Sequence, residues 1–304
     1  MPNNTLRCYD LIQIKSGEIF TLNGNFDGQY CRATLSFYPR PVGDRLVGKF
    51  KYQKVTYETS YKVSEAHKCL DLPGQQQFIL NRNKIVRLHK ASDSFLFLEE
   101  DKKNQCRQFM SCLSGTNRFN SQFHGLTGSS ALKCRLPTSD FDWVLYRPQP
   151  NLIRKNVSQL QKVFTFDFAH AYQKYAIFSN LLKLDINNLF ETRWKYVLFQ
   201  SLNISLNFVD PNWRADKLIN TSLPGQQIVL TGKVLKACGC YYLPYTIKIK
   251  NNKKNYTILS WIYLYNGAFA DGELIEVSGK KCLLGGQEYI VVENPQDYIR
   301  KLVS

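Results

Sequence analysis

The chain of 304 residues is 44% hydrophobic and 21% charged, with a formal net charge of +16, a composition that excludes disordered and fibrous proteins. No apolar run reaches the ~18 residues of a membrane helix. The N-terminal MPNNTLRCYDLIQIKSGEIF lacks the basic-then-apolar order of an export signal, so a cytoplasmic protein without a membrane partner is expected.

The positive charge is spread, +5 over residues 1–103, +7 over 104–222 and +4 over 223–304. An evenly basic chain points to a polyanionic partner, nucleic acid before any other. Nine cysteines, an odd number in a long chain, read as reduced thiols. Cys238 and Cys240 are too close for a zinc knuckle, Cys106 and Cys112 have no second pair, and the four histidines are scattered, so no structural zinc is expected.

In chain order, 7–62 reads as short strands: LIQIKSGEIFTLNG, CRATLSFYP and KFKYQKVTYETSY alternate apolar and polar residues around turn signals. Pro73-Gly74 punctuates a connector before the strand KIVRLHK, and NQCRQFMSCLSG predicts a helix stopped by Gly115. The stretches NLIRKNVSQLQKVF, DFAHAYQKYAIFSNLL and DINNLFETRWKYVLF predict helices over 151–199, with Asp167 and Asp185 as N-caps. NISLNFVDP predicts a strand ended by proline. From Gly225 on, QQIVLTGKVLKAC, YTIKIK, YTILSWIYLY, ELIEVSGK and EYIVVE give about five strands, the count of a small closed barrel such as an OB-fold.

The chemistry concentrates in GLTGSSALKCRLPTSDFDWVLY, residues 125–146. On a strand, Phe141, Trp143 and Leu145 share one face, and Asp140, Asp142 and Val144 the other. The two carboxylates then stand ~7 Å apart at the backbone. Side chains so placed converge on a divalent ion, which removes their mutual repulsion. Magnesium suits them, since it takes a few carboxylates together with phosphate oxygens and water. Upstream, Gly128 permits close backbone approach, and Ser129 and Ser130 open a segment that would start a helix able to hold phosphate.

The pattern T-GS-SALKCRLPTS-DFD-W resembles the polymerase-β-like nucleotidyltransferase superfamily. Over its wider arrangement the chain looks like a group of mainly archaeal nucleotidyltransferases whose substrate is uncharacterised. The resemblance implies an α+β fold: a central nucleotidyltransferase domain, a mixed sheet with helices, over 104–222. An N-terminal β-rich domain (1–103) and a C-terminal OB-like barrel (223–304) would flank it. It further implies Asp140 and Asp142 as ligands of magnesium, or manganese in its place, and Gly128, Ser129, Ser130 and Lys133 around a nucleoside triphosphate. The reaction implied is transfer of a nucleoside monophosphate from an NTP or dNTP to a hydroxyl. The basic surface favours nucleic acid as acceptor, RNA such as tRNA or DNA, while a protein hydroxyl or a second nucleotide stays open.

Active members of that superfamily add a third carboxylate from a neighbouring strand. In ISLNFVD the polar face carries Ser205 and Asn207, and Asp210 has the opposite parity beside Pro211. The third position is therefore Asn207, a neutral ligand, or a displaced Asp210. A neutral residue there opens a second reading, a degenerate module that binds nucleotide or nucleic acid without chemistry; a plain nucleic-acid-binding protein is the third. Glu191 reads as a surface ion pair, Lys133 and Arg135 as phosphate neutralisers or a solvated loop, and His124 as a packed strand residue. In the barrel, Trp261, Tyr263 and Tyr265 would share one strand face, with Lys248 and Lys250 on another strand. The rings are either barrel core or a stacking platform beside lysines that follow a phosphate backbone.

Overall fold

The computed structural model describes residues 5–56, 61–72, 75–114, 120, 122–136, 139–146, 165–166, 196–200, 202–218, 225–252, 254–294 and 296–302. Among the described residues strand makes up 50% against 15% helix, arranged as a half-barrel sheet, a mixed sheet and a closed five-stranded barrel. That architecture overturns the expected α+β, polymerase-β-like fold: the protein is mostly β.

The first sheet holds β1 (Leu11–Ile14), β2 (Ile19–Leu22), β3 (Tyr30–Pro39), β4 (Arg45–Val47), β5 (Phe50–Lys54), β6 (His67–Leu72), β7 (Gln75–Asn81) and β8 (Ile85–His89). The long β3 organises it, pairing with β2, β5 and β7 along its length. Its alternation buries Phe20, Leu22, Ala33, Leu35 and Phe78 on the inside. A 3-10 segment, Ala91–Phe97, leads to α1 (Glu100–Ser114), the single α-helix among the described residues.

The second sheet runs β11-β12-β13-β10-β9, built from β9 (His124–Leu126), β10 (Phe141–Tyr146), β11 (Thr165–Phe166), β12 (Tyr196–Phe199) and β13 (Leu202–Val209). β10 lies at its heart, antiparallel to β9 and parallel to β13. Most of the helices expected over 151–199 lie outside the described residues. The two pieces that are described, β11 and β12, are strands, so the helical reading of YVLF does not hold. A short run carries too few residues to separate a period of 2 from one of 3.6, and the edge of β13 supplies the hydrogen bonds that decide it.

The third sheet comprises β14 (Gln226–Lys236), β15 (Tyr245–Asn251), β16 (Lys254–Ser260), β17 (Leu274–Leu284), β18 (Gln287–Val292) and β19 (Tyr298–Lys301). The order β14-β15-β16-β18-β17 returns on itself through β14–β17 pairing, which closes a five-stranded Greek-key barrel and removes its open edges. The β17–β18 hairpin turns on Gly285 and Gly286, both at positive φ (+55° and +81°), the conformation a two-residue hairpin loop demands.

The three sheets share interfaces. The central sheet and the barrel contribute to one apolar core that includes Trp143, Phe208, Tyr241 and Ile258. The half-barrel meets the barrel through Arg32, fully buried, whose guanidinium donates to Glu293 and Gln77 at 2.7 Å and lies 3.7 Å over the Trp261 ring. No described helix is long and apolar enough to cross a membrane, and no disulfide links the described cysteines.

Candidate functional site

Strand β10 is held by what it buries. Phe141 and Trp143 are sealed in the core, and Phe109 of α1 packs edge-on against Trp143 at 5.1 Å. Burying such a ring contributes on the order of 2–3 kcal/mol. On the other face Val144 and Tyr146 are also buried, whereas Asp140 and Asp142 are half-buried. The two acids therefore stand at the open end of a face that is otherwise covered. His124 on β9 stands opposite Leu145, on the Trp143 face, and its Nδ1 accepts from the Trp143 indole at 3.3 Å. Burial lowers its pKa to about 4, so it packs as a neutral ring.

The turn after β9 meets the acids directly. The Thr127 N–H donates to the Asp142 carbonyl at 2.9 Å, and the Thr127 hydroxyl donates to the Tyr9 carbonyl of the half-barrel. Gly128 follows at φ +63°, and a Cβ on it would lie 2.8 Å from Asp142 Oδ2. Only glycine meets both demands, the left-handed backbone and the close approach. Ser129 and Ser130 are buried, and the Ser130 hydroxyl has no hydrogen-bond partner among the described residues. The helix expected after Gly128 does not form. Cys134 N–H returns to the Ser129 carbonyl, and Lys133 takes φ +58°, so the segment is one closed turn without a helix dipole to offer phosphate. Lys133 instead reaches outward, its ammonium 3.5 Å from the Phe97 ring centroid.

Two arginines secure the loop that carries Asp140. Arg135 donates to the Ser139 carbonyl and lies 3.7 Å over the Phe141 ring. Desolvation lowers its pKa, opposed by the carboxylates of Asp140, Asp142 and Glu99. Arg45, from β4, donates to Ser139 Oγ at 3.1 Å and to the Cys134 carbonyl at 3.3 Å. Sequence reading missed Arg45 altogether, because nothing local links residues 45 and 139. The alternation of β4 and β5, which buries Val47 and Tyr52 against Ala131, Leu132 and Cys134, was its only trace.

The register of β10 on β13 settles the neighbours of the two acids. Asp142 pairs with Ser205 and Val144 with Asn207. The Ser205 hydroxyl donates to Asp142 Oδ1 at 2.6 Å, and the Asn207 amide donates to the Trp143 carbonyl at 3.3 Å. Asp210 lies five residues beyond Ser205 along a parallel strand, ~17 Å by the strand rise. Its carboxylate caps the Asn212 N–H and its carbonyl accepts from Asn25. The structure thus brings together Gly128, Ser129, Ser130, Asp140 and Asp142, sets Asn207 one pair further on, and leaves Asp210 at the half-barrel interface. Among the described residues no group of three or more His, Cys, Asp or Glu side chains is placed to hold a metal. Two carboxylates and hydroxyls still form a hard-oxygen set, of the kind that holds magnesium when phosphate and water complete its shell.

The barrel rings are core. Strand β16 ends at Ser260, whose hydroxyl donates to the Val292 carbonyl, and 263–265 forms a 3-10 turn. Trp261 and Tyr265 are buried, Tyr265 accepting from the Ile299 N–H at 3.0 Å, and Tyr263 is half-buried. The stacking-platform alternative is thereby removed for Trp261 and Tyr265. Lys248 and Lys250 are exposed on the outer face. Glu191 lies outside the described residues. Comparison with protein-family models and with curated proteins gives no match to this chain.

Proposed function

We propose that the protein binds a magnesium-bound nucleoside triphosphate at the Gly128 turn and transfers its nucleotidyl group to a hydroxyl on nucleic acid. The observation that carries this reading is the seating of the Gly128 turn against Asp142, with Asp140 two residues away and two arginines behind. A left-handed glycine whose Cβ space is filled by a carboxylate is a position that no other residue takes without strain. A phosphate-bearing ligand that needs close backbone approach and a cation gives it a purpose.

Asp140 and Asp142 would hold the ion, with Ser205 fixing the rotamer of Asp142 and Ser130 offering a hydroxyl to the ligand. Bound magnesium would neutralise phosphate charge and orient the triphosphate. Arg135 and Arg45 would balance the remaining charge around the Asp140 loop. In the transfer the acceptor oxygen bonds the α-phosphorus, the bond to the bridging oxygen breaks, and pyrophosphate leaves. The hydroxyl proton passes to water, since Ser205 and Asn207 offer no basic group beside Asp142.

A second reading, nucleotide binding without transfer, is favoured by those same neutral residues and by the distance of Asp210. The deciding assay supplies α-labelled NTPs and dNTPs with magnesium or manganese. It offers tRNA, single-stranded RNA and DNA, and the protein alone, beside Asp140→Asn/Asp142→Asn. Label in an acceptor that the double variant loses supports transfer. Metal-dependent nucleotide binding without label supports the second reading. Absence of metal-dependent nucleotide binding refutes both.

A further inference from the structure

The outer face of β14 and β15 carries four exposed lysines, Lys233, Lys236, Lys248 and Lys250. They stand directly opposite one another in two cross-strand pairs, Lys233 with Lys250 and Lys236 with Lys248. Like charges facing across a ladder destabilise a sheet, so folding alone gives no reason for the arrangement. A bulge makes the second pair: the register shifts between Val234 and Lys236, so Leu235, 44% exposed, is passed over and Lys236 faces Lys248. Bulges commonly re-aim side chains in this way at functional surfaces.

No carboxylate answers them. The next strands place Thr257 and Asn255 beside Lys248 and Lys250, and Leu274 beside Lys233. The acids around that end of the barrel are engaged elsewhere: Glu276, opposite Thr231, holds Arg300 at 2.6 Å and the Tyr298 hydroxyl at 2.7 Å, Glu273 holds Lys301 at 2.9 Å, and Asp271 accepts the Ala237 N–H at 2.7 Å. None of the four ammonium groups has a carboxylate partner among the described residues.

We infer that this lysine quartet is a binding site for the phosphate backbone of single-stranded nucleic acid. Lysines two residues apart on a strand lie ~7 Å apart, and the two rows are ~5 Å apart, a narrow cationic track on a smooth wall. β14 and β15 are flanked by β17 and β16, so the lysines stand on a strand surface that carries no described helix to enter a duplex groove, whereas a flexible single strand lies along the track. The inference rests on the barrel alone, whatever the fate of the nucleotide site.

The test is the affinity of the full chain for a labelled single-stranded oligonucleotide as a function of salt, without nucleotide, with duplex and anionic vesicles as parallel probes. One variant changes all four lysines to Gln. A control removes the same charge elsewhere through Lys49→Gln, Lys51→Gln, Lys54→Gln and Lys84→Gln. The quartet variant should flatten the slope of log affinity against log salt by about 3, so that going from 50 to 200 mM salt weakens the wild type about 50-fold more than the variant. Its Tm should be equal to or above that of the wild type, because two repulsive pairs are gone. An equal loss in the control, an unchanged slope in the quartet variant, or preference for duplex or vesicles would overturn the assignment. A fall in Tm would show that the lysines serve the fold.

Discussion

Replacing Gly128 by Ala tests the site through its tightest contact. A non-glycine residue at φ +63° costs about 1–2 kcal/mol from the backbone alone. The new Cβ would also stand 2.8 Å from Asp142 Oδ2, closer than two such atoms sit, and the carboxylate is the part free to yield. Its rotation breaks the hydrogen bond from Ser205, 2.6 Å long, and a bond to a charged group is worth about 1.5–3 kcal/mol, the lower end applying to a half-exposed acid. The two effects together reach about 3 kcal/mol, roughly 6–12 °C in Tm. Thermal unfolding should show that loss, and titration with magnesium and nucleotide should show binding weakened well beyond it, since Asp142 has turned away. Gly128→Asn separates the causes: asparagine tolerates the left-handed region but brings the same Cβ, so it should keep part of the stability and lose the binding equally. An alanine variant with wild-type Tm and nucleotide affinity would refute the reasoning.

Arg32→Met should destabilise by about 3–5 kcal/mol in urea unfolding, because Glu293 would remain buried without its guanidinium; adding Glu293→Gln should recover part of the loss, and additivity in the double variant would deny the coupling. Asp10 is fully buried, and desolvation raises its pKa to about 7 from 3.8, although it accepts the Ala91 N–H. The native state therefore holds a proton that the unfolded chain has released, so this group's contribution falls between about pH 4 and 7, by up to roughly 4 kcal/mol. His89 and His124, lowered to about 4 from 6.5 by burial, act with the opposite sign, stability rising from about pH 4 to 6.5. Asp10→Asn keeps the acceptor and removes only the titration, so the stability difference from wild type should grow in the variant's favour from pH 4 to 7; a constant difference would sink the assignment.

Much of strand β10 is legible in SDFDWVLY. Alternation is a local property, and it placed Phe141 and Trp143 inward and the two acids together. It did not show that Val144 and Tyr146 on the acid face would also be covered, because cover comes from elements far away in the chain. Parity in ISLNFVD put Ser205 and Asn207 on one face, but only the parallel register on β10 decided that Ser205, not Asn207, stands beside Asp142. The same limit explains the barrel. YTIKIK shows its inward isoleucines and outward lysines in the sequence, whereas the pairing of Lys236 with Lys248 depends on a bulge in another strand. SWIYLYNG has the alternation of a strand, yet the chain leaves the sheet after Ser260 and its tryptophan is covered by Arg32, more than two hundred residues earlier. The order of side chains along the backbone fixed which residues share a face within each strand. Register, bulges and the partners that cover a face are set by contacts between distant segments, so only the tertiary structure decided them.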